Sequence, residues 1–167
     1  LLGFGGRGAR LIVPAALVVQ LYLACRAAAL VWESQAPLAY EVGGFSPPLG
    51  ITLRADGISV LMMVVSAVIF LAAGAFAWKD FAQPAGKPEA RLSLIFWSAL
   101  LAMASALNLL FTSTDLFNLY VALELLTFAA IPVVAIKGGA DTLRAALRYL
   151  LFAVFGSMLY LLGIVLI

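Results

Sequence analysis

Histidine is absent from this 167-residue chain, and cysteine occurs once, at Cys25. A single thiol forms no internal disulfide, and without histidine the usual nitrogen and sulfur ligands of a metal cluster are missing. Charge is scarce as well, with Asp, Glu, Lys and Arg together making up 11% of the residues. No Walker loop, no G-x-G-x-x-G and no haem-attachment motif occurs. The expectation is therefore no catalytic, cofactor-binding or metal residue in this chain. Any redox step belongs to other subunits.

What the chain has is apolar length. Hydrophobic residues account for 65% of it and the mean hydropathy is +1.14, far outside the soluble range. A hydrocarbon core about 30 Å thick needs roughly 20 apolar residues of helix. Five runs qualify: 11–32, 58–78, 92–112, 116–137 and 143–167. They lack the polar alternation of a barrel, and an open sheet would leave its edge groups unpaired in lipid, so helices are the remaining solution. The expected fold is all-α, a polytopic transmembrane bundle forming a single membrane domain. Leu11 to Trp32 is too long for a signal peptide and reads as a permanent span. Leu1 to Phe4 reads as the tail of an earlier hydrophobic segment, so the chain is expected to be a piece of a longer protein.

Basic residues sort onto one side of the membrane. Arg7 and Arg10 precede the first span, Lys79, Lys87 and Arg91 lie between the second and third, and Lys137, Arg144 and Arg148 flank the link between the fourth and fifth. These are eight of the ten basic residues, and short loops rich in Lys and Arg stay cytoplasmic. The net charge of +2 thus reports topology and gives no sign of nucleic-acid binding. On the outer side, Leu38 to Val42 and Ile51 to Arg54 flank GGFSPPLG, a pattern that predicts a short β-hairpin over the bundle. Asp56 is placed to cap the following helix. The Gly138 and Gly139 pair predicts a helix stop, with Asp141 or Thr142 opening the next helix.

One residue breaks the apolar pattern of the fourth span. Glu124 lies near the midpoint of LFNLYVALELLTFAAIPVVAI, Leu116 to Ile136. An ionisable group at that depth costs about 2.5 to 3.5 kcal/mol on insertion scales, so a partner, water or a proton must offset it. Helical spacing puts Tyr120 and Thr127 on the same face, a narrow polar stripe. Pro132 removes the donor that would satisfy the Phe128 carbonyl one turn further on. The pattern points to proton or ion movement, with Glu124 as the main residue of a proton path and Tyr120 and Thr127 in support. The structural alternative is a non-conducting scaffold in which Glu124 holds helices together by hydrogen bonds.

Other polar positions are open to two readings. Arg26, towards the outer end of the first span, can snorkel to the interface or tune a neighbouring charge electrostatically, but it does not release its proton. Ser98, Ala102 and Ser105 form a small-residue face suited to close helix packing. Gln20 and Asn108 suit either a wet path or a bond across helices. Trp32 and Trp78 are placed as interface anchors.

Three strings carry a resemblance. TSTDLFNLYVALELLTF (Thr112 to Phe128), LRAALRYLLFAVFGSMLYLLG (Leu143 to Gly163) and PPLGITLRADGIS (Pro47 to Ser59) resemble the antiporter-like membrane subunits shared by respiratory complex I and Mrp-type cation/proton antiporters. DLFNLYV leans towards the D-type member of the Mrp systems. The resemblance implies a fold of about fourteen helices built on two inverted five-helix repeats, of which this chain covers helices two to six. Glu124 matches the family's glutamate in the fifth helix, which pairs with a lysine of the seventh helix, a position beyond Ile167. It also implies an inner-membrane, multi-pass protein packed beside homologous membrane subunits and moving protons, with Na+ or K+ as the exchanged cation in an Mrp assembly. If the parent is NADH:quinone oxidoreductase, then NADH, quinone and Fe–S centres reside in other subunits, and this chain is not catalytic alone.

Overall fold

A computed structural model describes residues 8–45, 50–81 and 91–166. Leu1 to Phe4, Arg7, the Pro47 and Pro48 turn, Lys87 with its inner loop, and Ile167 lie outside the described residues. In chain order the elements are α1 (Gly8–Ser34), β1 (Leu38–Glu41), β2 (Thr52–Ala55), α2 (Gly57–Asp80), α3 (Arg91–Thr112), α4 (Leu116–Val134) and α5 (Ala140–Leu166). Among the described residues, five helices are long and apolar enough to cross a membrane. The chain is therefore an all-α, multi-pass membrane fold with one small two-stranded sheet.

Helix ends are set by local chemistry. Asp56 caps α2: its Oδ1 accepts from the Ser59 backbone N–H at 2.9 Å and from the Ser59 hydroxyl at 3.0 Å. Asp115 caps α4 in the same way, accepting from the Asn118 N–H at 2.6 Å. α1 ends without glycine; Gln35 adopts a left-handed conformation (φ 50°), and its side-chain amide donates to the Trp32 carbonyl at 2.6 Å. α4 stops at Val134, short of the expected Lys137, because its last turn tightens into three-residue bonds, Ile136 N–H to Val133 and Gly138 N–H to Ala135. Gly138 and Gly139 then turn the chain at φ 68° and 93°, conformations costly for residues with a Cβ. The next helix opens earlier than expected. Leu143 N–H already bonds the Gly139 carbonyl, so Asp141 sits inside the first turn of α5 rather than before it.

The outer hairpin forms with nearly the expected bounds. β1 and β2 pair antiparallel with Leu38 opposite Ala55 and Glu41 opposite Thr52. The hairpin is also tied to the bundle. Leu53 bridges Ser113 in the turn between α3 and α4, and the Thr114 hydroxyl donates to the Thr52 carbonyl at 2.6 Å.

The helices divide into a tight group and an open one. Val13 and Leu17 of α1 and Trp97, Leu100 and Ala104 of α3 form the buried core, with Phe70, Leu71 and Trp78 of α2 packed on it. Trp97 is 0% exposed and meets the rings of Trp78 and Phe96 edge-on, at 6.3 and 5.3 Å between centroids. Trp78 thus packs on the core, whereas Trp32, 79% exposed, stands free at the outer end as an interface anchor would. α4 packs on α3, and α5 packs on α4. Ser98, Ala102 and Ser105 face out of this chain, and the buried small residues of α3 are Ser93, Ala99, Ala104 and Ala106 instead.

Gly74 marks the closest approach in the core. A Cβ there would lie 3.5 Å from Trp97, 3.7 Å from Leu100 and 3.7 Å from Leu17, ordinary contact for a methyl but no room beyond it. Gly74→Ala should leave the thermal unfolding of the detergent-purified parent protein nearly unchanged, whereas Gly74→Leu should destabilise it by about 1–3 kcal/mol. Asp56 supplies a second test. Its carboxyl is held below the ordinary value of 3.8, chiefly by the Ser59 backbone N–H and then by the Ser59 hydroxyl, with the Arg54 charge a smaller contributor. A depressed folded value means that the cap's contribution is complete above pH 3.8 and is lost as pH falls through the folded value. In an acid titration of stability, Asp56→Asn should remove that component.

Candidate functional site

Glu124 lies eight residues into α4, about 12 Å from the helix's N-terminal end at 1.5 Å per residue. It is half-buried, and its carboxylate has no hydrogen-bond or ion-pair partner among the described residues. Tyr120, one turn earlier on α4, stacks its ring on Tyr160 of α5 with centroids 6.5 Å apart and planes 9° from parallel. Glu124 lies four residues beyond that contact along α4.

The neighbouring residues are less available than their spacing suggested. Thr127 donates its hydroxyl to the Leu123 carbonyl at 2.9 Å, a bond within its own helix. Pro132 lies inside α4 and supplies no N–H to the Phe128 carbonyl. Arg26 is exposed on α1, which packs against α2 and α3, and it makes no ion pair with Glu124. Gln20 Nε2 and Asn108 Oδ1 are buried without partners among the described residues, so neither atom bonds across helices.

Two features escaped the sequence reading. At the outer end of α4, Asn118 is buried and its amide donates to the Ser113 hydroxyl at 3.0 Å, adding to the Asp115 cap. Asp115 with Asn118 three positions later carried a capping signal that was legible. Tyr160 had no such signal, because an aromatic residue in an apolar run is ordinary filler until its neighbour is known. A cavity of about 780 Å³ opens between the outer ends of α1 and α2, lined by Cys25, Trp32, Arg54, Asp56 and Val60 among others. It does not include Glu124. Among the described residues, no group of three or more His, Cys, Asp or Glu side chains is placed to hold a metal ion.

No protein-family profile matches the chain. Curated relatives do, among them the following two. It is 29% identical over 124 residues to the D subunit of the Na(+)/H(+) antiporter of Bacillus subtilis, covering 74% of this chain and 24% of that protein. It is 28% identical over 128 residues to the "Putative antiporter subunit mnhD2" of Staphylococcus aureus, covering 77% of this chain and again 24% of the relative. Its homologues are antiporter-type membrane subunits. The chain spans about a quarter of the length of these relatives. In fold it superposes on a chain of the membrane-bound sulfane sulfur reductase, an archaeal respiratory membrane complex, with a TM-score of 0.76 over 95% of this chain and 31% of the other, at 23% identity. These matches agree with the resemblance carried by 112–128 and 143–163 to the antiporter-like subunits of complex I and Mrp systems.

The local geometry makes one prediction. Since the Thr127 hydroxyl is spent on its own backbone, Thr127→Val should change stability by less than about 0.5 kcal/mol.

Proposed function

We propose that this chain is helices two to six of a proton-translocating, cation/proton antiport-type membrane subunit of a multisubunit complex, with Glu124 on the proton path. The observation that supports the reading is a half-buried carboxylate eight residues into a helix long and apolar enough to cross a membrane, with no partner among the described residues. A charge at that depth is stable only when paired, hydrated or neutralised by a proton. A site that alternates between pairing and protonation carries protons. Support comes also from the relatives, one of which is named as part of a Na(+)/H(+) antiporter.

In this reading the rest of the parent protein supplies a cation that pairs with ionised Glu124. Withdrawal of the cation leaves the carboxylate to take up a proton, and its return expels that proton towards the next site. Tyr120 lines the approach from the outer side. Homologous membrane subunits packed alongside would drive the change of pairing, and Na+ or K+ would be the counter-transported ion. Chemistry on NADH or quinone, where the parent is a respiratory complex, lies in other subunits.

The test is proton translocation in inverted membrane vesicles carrying the full-length parent protein in its complex, with the amount of assembled complex measured in parallel. Glu124→Gln should reduce translocation at least tenfold while assembly stays at the wild-type level. Unchanged translocation would hand the residue to the scaffold reading, in which the acid serves only packing.

A further inference from the structure

The seam between α1 and α2 is filled at one end and open at the other. Away from the hairpin, Phe70, Leu71 and Trp78 of α2 pack on the core that contains Val13 and Leu17 of α1. At the hairpin end the walls are Cys25, Ala28 and Val31 on α1 and Val60, Leu61 and Val64 on α2, and the cavity of about 780 Å³ lies between them. From Gly57 to Val64 the α2 wall runs about 10 Å at 1.5 Å per residue. That is most of the roughly 15 Å that one leaflet contributes to the hydrocarbon core.

The rim is charged where the walls are apolar. Arg54 of β2 and Asp56, the cap of α2, both line the cavity and both are exposed. The Arg54 guanidinium has no hydrogen-bond or ion-pair partner among the described residues, and the two charges form no ion pair with each other. Asp56 commits Oδ1 to the Ser59 N–H and hydroxyl, contacts that hold its carboxyl below the ordinary value and keep it ionised at neutral pH. Trp32, which also lines the cavity, marks this rim as interfacial by its exposure.

That combination selects the occupant. Water gains little from apolar walls, and a void beside them forfeits dispersion contacts. An anionic headgroup would meet Arg54 but leave Asp56 opposed, and a simple cation would do the reverse. A zwitterionic phospholipid satisfies both charges and fills the slot beneath them with hydrocarbon.

We propose that the cavity binds one phospholipid of the phosphoethanolamine class, its phosphate on Arg54, its primary ammonium on Asp56 and an acyl chain between α1 and α2. A primary ammonium offers three N–H donors to the carboxylate, which a trimethylated headgroup lacks. The site is separate from Glu124, which does not line the cavity.

The test is photo-cross-linking on the full-length parent protein in its complex, with the amount of assembled complex measured in parallel. The complex is reconstituted in vesicles of equal parts phosphatidylethanolamine and phosphatidylglycerol, doped with a trace of either lipid carrying a diazirine in its acyl chain. Adducts are mapped by peptide mass spectrometry to 25–31 and 60–64. The phosphatidylethanolamine probe should give roughly tenfold more adduct there than the phosphatidylglycerol probe, the size expected for hydrogen bonds to charged groups. Arg54→Ala, at an exposed position, should lower the phosphatidylethanolamine yield by a similar factor. Asp56→Asn keeps an acceptor for the cap and should abolish the preference between the two probes. Equal yields from both probes in the wild type would mean bulk bilayer lipid only and would overturn the proposal, as would a phosphatidylethanolamine yield unchanged by Arg54→Ala. Absence of adducts from either probe would assign the cavity to a neighbouring protein and would overturn it equally.

Discussion

A bilayer core offers a peptide group nothing to hydrogen-bond with, and this constraint organises the molecule. It turns apolar runs into helices and concentrates irregular backbone at their ends, where Asp56, Asp115, Gln35 and the Gly138 and Gly139 pair provide the chemistry. It also governs the side chains inside the spans. Ser66, Ser98, Ser105, Thr112, Thr127 and Ser157 all return their hydroxyls to carbonyls of their own helices. Those hydroxyls are therefore already satisfied, whereas Gln20, Ser93, Trp97, Asn108 and Tyr160 each keep a buried polar atom without a partner among the described residues. An ionised Glu124 cannot use the same device, because a carboxylate has no donor to offer its own backbone carbonyls.

The two halves of the fold are built differently. α1, α2 and α3 close around Trp97, and in lipid their association depends on close packing more than on exclusion of water, which explains the dense ring contacts and the glycine at their meeting point. α4 and α5 form an open pair. Ala146 is the one fully buried residue of α5 among those described, and large residues such as Leu151, Phe152, Phe155 and Val165 stand exposed. The proposed site lies on this open side, where a partner helix or subunit can approach the carboxylate.

Hydropathy made the fold class legible, because runs of this length admit few structures. The hairpin and the Asp56 cap were legible for a related reason: each depends on residues adjacent in sequence, with Gly and Pro between short strands in one case and an acid before a helix in the other. The packing was harder to read. Ser98, Ala102 and Ser105 looked like the tight face of α3, but small residues recur on several faces of that helix, and the volume of Trp97 set which face turned inward. Within the site, the place of Glu124 along its helix was readable from the sequence. The pairing of α4 with α5 was not, because it shows in a ring contact between residues forty positions apart, Tyr120 and Tyr160, which no local pattern encodes.

The tether between the hairpin and the α3–α4 turn has a mechanical result. Asp115, Asn118 and Thr114 clamp the outer end of α4 to the adjoining turn and, through Thr52, to the strand that leads into α2. Near its inner end Pro132 has removed one rung of the helical ladder. One end of the helix is thus anchored and the other weakened. In mechanical terms α4 is a cantilever, fixed at the end capped by Asp115 and most compliant beyond Pro132, with Glu124 midway between Leu116 and Pro132.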